Sequence, residues 1–187
     1  MVASHKGDRK VPAMAGIKPT MKPAVGRRLK NMANTYTQIF LHIVFAVKDR
    51  ESLLRPDIQE ELYTYLAGAC KNRTHHPIAI NGTADHVHML VGFCPTESLA
   101  SFVQSIKIES SKWLKREKGI RNFAWQTGYA AFSYSKSLLP QVETYIAHQK
   151  EHHSRNGFDE EMKSIMERSG IAYEEAYRLH GIDISPT

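Results

Sequence analysis

Two histidines separated by one residue, His86 and His88, open the apolar run His86-Val87-His88-Met89-Leu90-Val91-Gly92-Phe93, which lies between Gly82-Thr83-Ala84-Asp85 and Pro95. Turn residues on one side and a proline on the other make the run read as a buried strand. Alternate residues of a strand point to one face, so both imidazoles project side by side. Two ligands of one metal ion need that spacing, and histidine is the commonest metal ligand. Two structural histidines would show the same pattern, and the pair alone does not separate the readings. Further along, Tyr145-Ile146-Ala147-His148-Gln149 reads as helix. Tyr145 and Gln149 are i and i+4 and share a face, which His152 continues. A phenol there could serve as a nucleophile and an amide oxygen as a third ligand. A tyrosine half-packed on a sheet would look the same. His148, His152 and His153 crowd this helix at differing angles and read as surface histidines.

These residues need elements to hold them. Tyr36 to Val47 is apolar on both faces and rich in β-branched and aromatic residues, the pattern of a central strand; His42 within it reads as a core histidine satisfied by a neighbour. Pro56 starts a helix that keeps its apolar spacing through Ile58, Leu62, Tyr65, Leu66 and Ala69 to about Asn72. His75-His76-Pro77 breaks it, and adjacent histidines on an irregular stretch do not converge on an ion. Ile78 to Asn81 is a short strand expected to form a hairpin with the His86–Phe93 strand. Thr96 is a candidate N-cap for a helix with the buried stripe Leu99, Phe102, Val103, Ile106, Ser110, Trp113 and Leu114. Lys107, Lys112, Lys115, Arg116 and Lys118 lie on or near its other side. An aromatic loop, 123–129, leads into a fourth strand to Ser135, then a helix from about Ser137 to His153. Two more helices are expected, Asp159 to Arg168 and Tyr173 to Leu179, stopped by Gly170 and Gly181. The order is β-α-β-β-α-β followed by helices. It predicts an α+β, ferredoxin-like antiparallel sheet with helices on one face plus a C-terminal tyrosine-bearing helix.

The chain of 187 residues holds 25 basic and 19 acidic residues. Residues 1–31 hold eight of the basic residues against Asp8 alone, +7, which leaves 17 basic and 18 acidic residues, −1, for the rest. That first segment, rich in Pro, Gly and Ala, reads as a basic disordered extension. It is either an arm that grips phosphates or sequence upstream of a start at Met32. Residues 32–155 form the expected catalytic domain and 156–187 a helical tail. Cys70 and Cys94 fit no zinc or redox spacing and read as buried thiols of a reducing cytoplasm. No apolar run is long enough to span a membrane, and no secretory signal follows the basic start.

Asp85-His86-Val87-His88, followed by Tyr145 to Gln149 on the last helix of a ferredoxin-like order, resembles the HUH single-tyrosine transposases of small bacterial insertion sequences, which include the REP-associated tyrosine transposases. Further matching stretches are His42-Ile43-Val44-Phe45 with Lys48 and Arg50, Lys107 through Lys112-Trp113-Leu114, Trp125-Gln126-Thr127-Gly128-Tyr129, and Tyr145 through Gln149 to His152-His153. The resemblance covers roughly residues 33–155, with a weaker match to about Tyr177. It implies that His86, His88 and Gln149 hold Mg²⁺ or Mn²⁺, although ligand chemistry would also allow Co²⁺ or Zn²⁺. Tyr145 would attack a phosphorus of single-stranded DNA near a hairpin, giving a 5′-phosphotyrosine and a free 3′-hydroxyl. Lys107, Lys112, Lys115, Trp125 and Tyr129 are the candidate DNA contacts, since single strands are read by aromatic platforms and basic grooves. Many members are homodimers with composite active sites and others act as monomers; a nucleoid-associated cytoplasmic location follows from a DNA substrate. The competing expectations are a domesticated hairpin-binding module without transposition activity, and an unrelated ferredoxin-like protein in which the two histidines are structural.

Overall fold

The computed structural model of the chain describes residues 36–149 and 157–171. The basic extension 1–31, His152, His153, and the expected helix from Tyr173 to Leu179 lie outside the described residues. Among the described residues the main elements follow in the order β1 (Phe40–Ala46), α1 (Pro56–Asn72), β2 (His76–Gly82), β3 (His86–Gly92), α2 (Leu99–Glu117), β4 (Ala130–Tyr134), α3 (Leu139–Ala147) and α4 (Phe158–Arg168). The sheet is antiparallel in the order β2-β3-β1-β4. Each β-α-β crossover skips one position: β3 fills the gap between β1 and β2, and β1 lies between β3 and β4. This is the order expected of a ferredoxin-like chain, and the fold class is α+β.

Alternation along the central strands divides the sheet into two faces. Ile43, Phe45, Val87, Met89 and Val91 point to one side and form a core with Leu62 and Leu66 of α1 and Phe102 and Ile106 of α2. The strand register sets Val44 opposite His88, Ala46 opposite His86 and His42 opposite Leu90. Residues directly opposite in an antiparallel pair share a face, so His42, His86 and His88 all lie on the second side. There α3 covers Leu90 with Leu139, Val142 and Ile146. Helix α4 covers Val44, Ala46 and Phe132 with Phe158, Met162 and Ile165. Two helices thus lie on one face, as expected, while the tyrosine-bearing α3 and the further helix α4 close the other.

The connections follow local chemistry. Gly82 ends β2 where a Cβ would sit 2.2 Å from the carbonyl oxygen of His86, so only glycine lets the hairpin close there. The N-cap of α2 is Ser98, whose Oγ accepts the Ser101 amide at 3.1 Å, rather than Thr96, which lies two residues too early. Helix α3 ends at Ala147 with a turn at His148, and the expected continuation beyond Gln149 to His153 lies outside the described residues. Two contacts mark its end. The Nδ1 of His148 lies 2.8 Å from the Thr144 carbonyl oxygen. The side-chain amide of Asn81 donates to the carbonyls of Ile146 and Ala147 at 2.8 and 3.0 Å. Asn81 therefore satisfies carbonyls left open at a helix C-terminus and ties the tyrosine helix to β2.

Candidate functional site

His86 and His88 are fully buried, and each ring is held from behind through Nδ1. The Nδ1 of His86 lies 2.8 Å from Asp85 Oδ1 and 2.8 Å from Thr83 Oγ1, and Thr83 itself donates to Asp85 at 2.7 Å. The guanidinium of Arg50 pairs with the second oxygen of Asp85. Despite a burial penalty, bonds from His86, Arg50 and Thr83 hold the Asp85 carboxyl well below the usual carboxylate range. His88 Nδ1 lies 2.9 Å from His42 Nε2, and the two rings stack with centroids 5.1 Å apart. Burial lowers His42 to about 4, against an opposing pull from Glu161, so His42 is neutral at physiological pH. The arrangement suits the tautomers in which His86 and His88 both carry hydrogen on Nδ1. Their Nε2 atoms then keep a lone pair on the side away from these supports, the support expected of metal-ligating histidines.

Both Nε2 atoms face one carboxylate. Glu161 of α4, itself buried, places Oε2 3.4 Å from His86 Nε2 and Oε1 3.5 Å from His88 Nε2. The hydroxyl of Tyr145 donates to Oε1 of the same carboxylate. Its ring meets that of His88 edge-on, with centroids 6.0 Å apart. Burial and the Glu161 charge both raise the Tyr145 pKa above the usual phenol value. Burial works against charge on Glu161, but contacts with His86 and Tyr145 lower its pKa. Burial likewise opposes charge on His86, and its bonds to Asp85 and Glu161 win, raising its pKa.

Gln149 is fully buried, and neither side-chain atom makes a hydrogen bond of ordinary geometry among the described residues. It lies close enough to lower the pKa of both Tyr145 and Glu161. A buried amide without a bond carries a penalty of about 1–3 kcal/mol, which a ligand would relieve. The ligand atoms of His86, His88 and Glu161 all lie within 4.8 Å of one another. Two imidazoles and a carboxylate beside an unsatisfied amide fit a divalent cation.

The fold therefore brings His86, His88, Tyr145 and Gln149 together within a single chain. A site shared between two copies is not needed to unite them. Glu161 and His42 were missed as site residues. His42 reads as a core histidine, and its satisfying neighbour proves to be His88. Glu161 is one of three consecutive charged residues opening a helix, and nothing in its local sequence sets it apart.

The five candidate DNA contacts separate by environment. The ammonium of Lys107 donates to the carbonyls of Gln126, Thr127 and Gly128 at 2.8, 3.2 and 2.5 Å, and burial lowers its pKa to about 8. Its donors fasten the aromatic loop and are spent there. Trp125 donates from its indole to Ser110 Oγ at 2.9 Å and packs edge-on against Phe45 and Phe123. Tyr129 is half-buried, 5.9 Å from the Lys107 ammonium. Lys112 and Lys115 are exposed on α2. His75 is a structural residue, held between Glu97 and the Cys94 amide. No helix among the described residues is long and apolar enough to cross a membrane.

Comparison with known proteins matches the sequence to a family. The sequence model described as "Transposase IS200 like" covers residues 35–149. The transposase for insertion sequence element IS200 of Salmonella typhimurium strain LT2 is 29% identical over 128 residues, covering 65% of this chain and 84% of that protein. The ISDra2 transposase TnpA of Deinococcus radiodurans is 24% identical over 118 residues, covering 60% and 84%. Among solved structures, a REP-associated tyrosine transposase bound to a REP hairpin aligns with a TM-score of 0.49 at 15% identity, covering 67% of this chain and 74% of that one.

Proposed function

The chain belongs to the IS200-like transposase family, and from that premise we propose that it cuts and rejoins single-stranded DNA near hairpins through a phosphotyrosine at Tyr145. The observation that carries this reading is the convergence of the Tyr145 hydroxyl and both histidines on one buried point. In the proposed step the Tyr145 oxygen attacks the scissile phosphorus and loses its proton. The bond from phosphorus to the 3′-oxygen breaks, leaving a 5′-phosphotyrosine and a 3′-hydroxyl. A 3′-hydroxyl from another cut end reverses the step, and the tyrosine regains its proton. Because the ester bond energy is kept in the phosphotyrosine, no external energy source is required.

His86, His88 and Gln149 are proposed to hold Mg²⁺ or Mn²⁺. The bound cation would polarise the scissile phosphate and offset the charge that develops on it. The protein's own residues supply the rest. Asp85, Thr83 and His42 orient the two imidazoles. Asn81 and the apolar stripe of α3 hold Tyr145 over them. A phenol with a pKa of about 10 is a poor nucleophile at neutral pH, and here burial and then the Glu161 carboxylate raise it further. A cation held by the histidines would counter that carboxylate and favour ionisation of Tyr145. For the polynucleotide, Lys112, Lys115 and Tyr129 remain the proposed contacts, with Lys107 and Trp125 shaping the loop that presents them.

The test is a covalent-adduct assay. Labelled single strands from the palindromic flanks of the protein's own gene are mixed with protein and Mg²⁺ or Mn²⁺, then run on a denaturing gel. A shifted band is expected that requires the cation and disappears in Tyr145→Phe and His88→Ala. Hairpin binding with no adduct under any metal would instead leave a binding module without transposition chemistry.

A further inference from the structure

We propose that Glu161 is a ligand of the catalytic cation, donated within the same chain by α4, so that this helix is part of the active centre. The inference rests on the metal-dependent reading above and extends it beyond the family match, which ends at residue 149, whereas α4 begins at Phe158.

The geometry is that of two ligands on one ion. The separations of 3.4 and 3.5 Å between the Glu161 oxygens and the two Nε2 atoms exceed the length of a well-formed N–H···O bond, about 2.7–3.2 Å. They are in the range of neighbouring ligand atoms around one ion, about 3.0–3.1 Å apart for six ligands and about 3.4–3.6 Å for four at bonds of about 2.1–2.2 Å. The carboxylate is buried and fixed by contacts of its own helix. Phe158, one turn before it, is held between the Arg50 guanidinium, 3.6 Å from the ring centroid, and the His86 ring at 4.8 Å. Met162 and Ile165 anchor the helix on Val44, Ala46 and Phe132. These contacts set Glu161 over the histidines from packing that does not involve its charge.

A carboxylate changes the character of the site. Two imidazoles and an amide carry no charge and suit softer ions, whereas Mg²⁺ and Mn²⁺ favour oxygen donors with negative charge. Glu161 supplies that charge. Together with His86, His88 and Gln149 it would make four protein ligands for the cation. The oxygen that receives the Tyr145 hydroxyl would keep the nucleophile beside the ion.

The experiment measures Mn²⁺ affinity by the loss of the free-ion signal in electron paramagnetic resonance, using the full chain and its Glu161→Gln and His88→Ala variants. Glu161→Gln is expected to weaken Mn²⁺ at least tenfold and to shift preference from Mn²⁺ toward Zn²⁺. An affinity within twofold of wild type, or a tighter one, would overturn the proposal. His88→Ala separates the two readings. If it abolishes binding while Glu161→Gln does not, only the inference about α4 fails; if neither changes binding, the metal site itself is misassigned. A measurement without variants guards against misfolding. In the wild-type chain carrying methyl-labelled methionine, Mn²⁺ but not Mg²⁺ is expected to broaden the Met162 methyl resonance, and a Met162 signal left sharp by bound Mn²⁺ would refute the placement.

Discussion

At the scale of single residues, the site depends on histidines whose protonation is fixed by their neighbours. His42 is the clearest case. Its ordinary pKa is about 6.5, and burial lowers it to about 4 in the folded protein. Between those values the unfolded chain binds the extra proton and the native state does not. The stability due to neutral His42 is therefore complete above about pH 6.5 and is lost as pH falls toward 4. The full loss is about 3 kcal/mol, from a shift of roughly 2.5 pH units at 1.36 kcal/mol each. His86 works in the opposite sense, since its pKa is raised in the folded state, so the comparison must isolate His42. Urea unfolding of wild type and His42→Gln in chelator, at pH 7 and pH 4.5, should show wild type losing more stability across that interval. Equal losses would mean that the imidazole is not held neutral.

Among the elements, α3 carries the proposed nucleophile, and it is short. Its tether is Asn81, which holds the carbonyls of Ile146 and Ala147 from strand β2. Asn81→Ala leaves those carbonyls without that partner at the turn between Tyr145 and Gln149. The expected cost is about 1–2 kcal/mol, seen as a lower urea midpoint. Adduct formation should fall more than stability does, because a loosened helix end would move both the proposed nucleophile and Gln149. A normal adduct rate in a destabilised Asn81→Ala protein would remove this tether from the mechanism. The elements themselves were largely readable beforehand. The helix Pro56–Asn72, the hairpin of β2 and β3, and the four-strand order all follow from periodicity, proline and glycine. The end of α3 did not, because it is marked by a side chain from a strand more than sixty positions earlier.

For the whole molecule, charge and substrate access must be considered together. The excess positive charge lies in residues 1–31. Lys112 and Lys115, the exposed lysines among the candidate DNA contacts, sit on α2, which packs on the sheet face opposite the histidines. A strand bound at Tyr145 would have to pass around an edge of the sheet to reach them. Replacing both lysines with glutamine is expected to lower the salt slope of hairpin binding by about 1.4, from ~0.7 per phosphate contact on single strands. Cleavage at saturating DNA should be unchanged. An unaltered slope would place the hairpin elsewhere on the molecule.

The sequence by itself determined the strand that carries His86 and His88, the helix that carries Tyr145, and the α+β order that sets them on one sheet. These are consequences of local spacing, with a period of two along a strand and of about 3.6 along a helix. The family resemblance added chemical roles to those positions. Only the tertiary structure decided that His42 stands behind His88, that Lys107 is spent on three carbonyls of its own loop, and that Glu161 faces both histidines and Tyr145. Each of these depends on residues distant in sequence meeting through sheet register or helix docking. A glutamate in an acidic first turn is unremarkable until α4 packs beside His86.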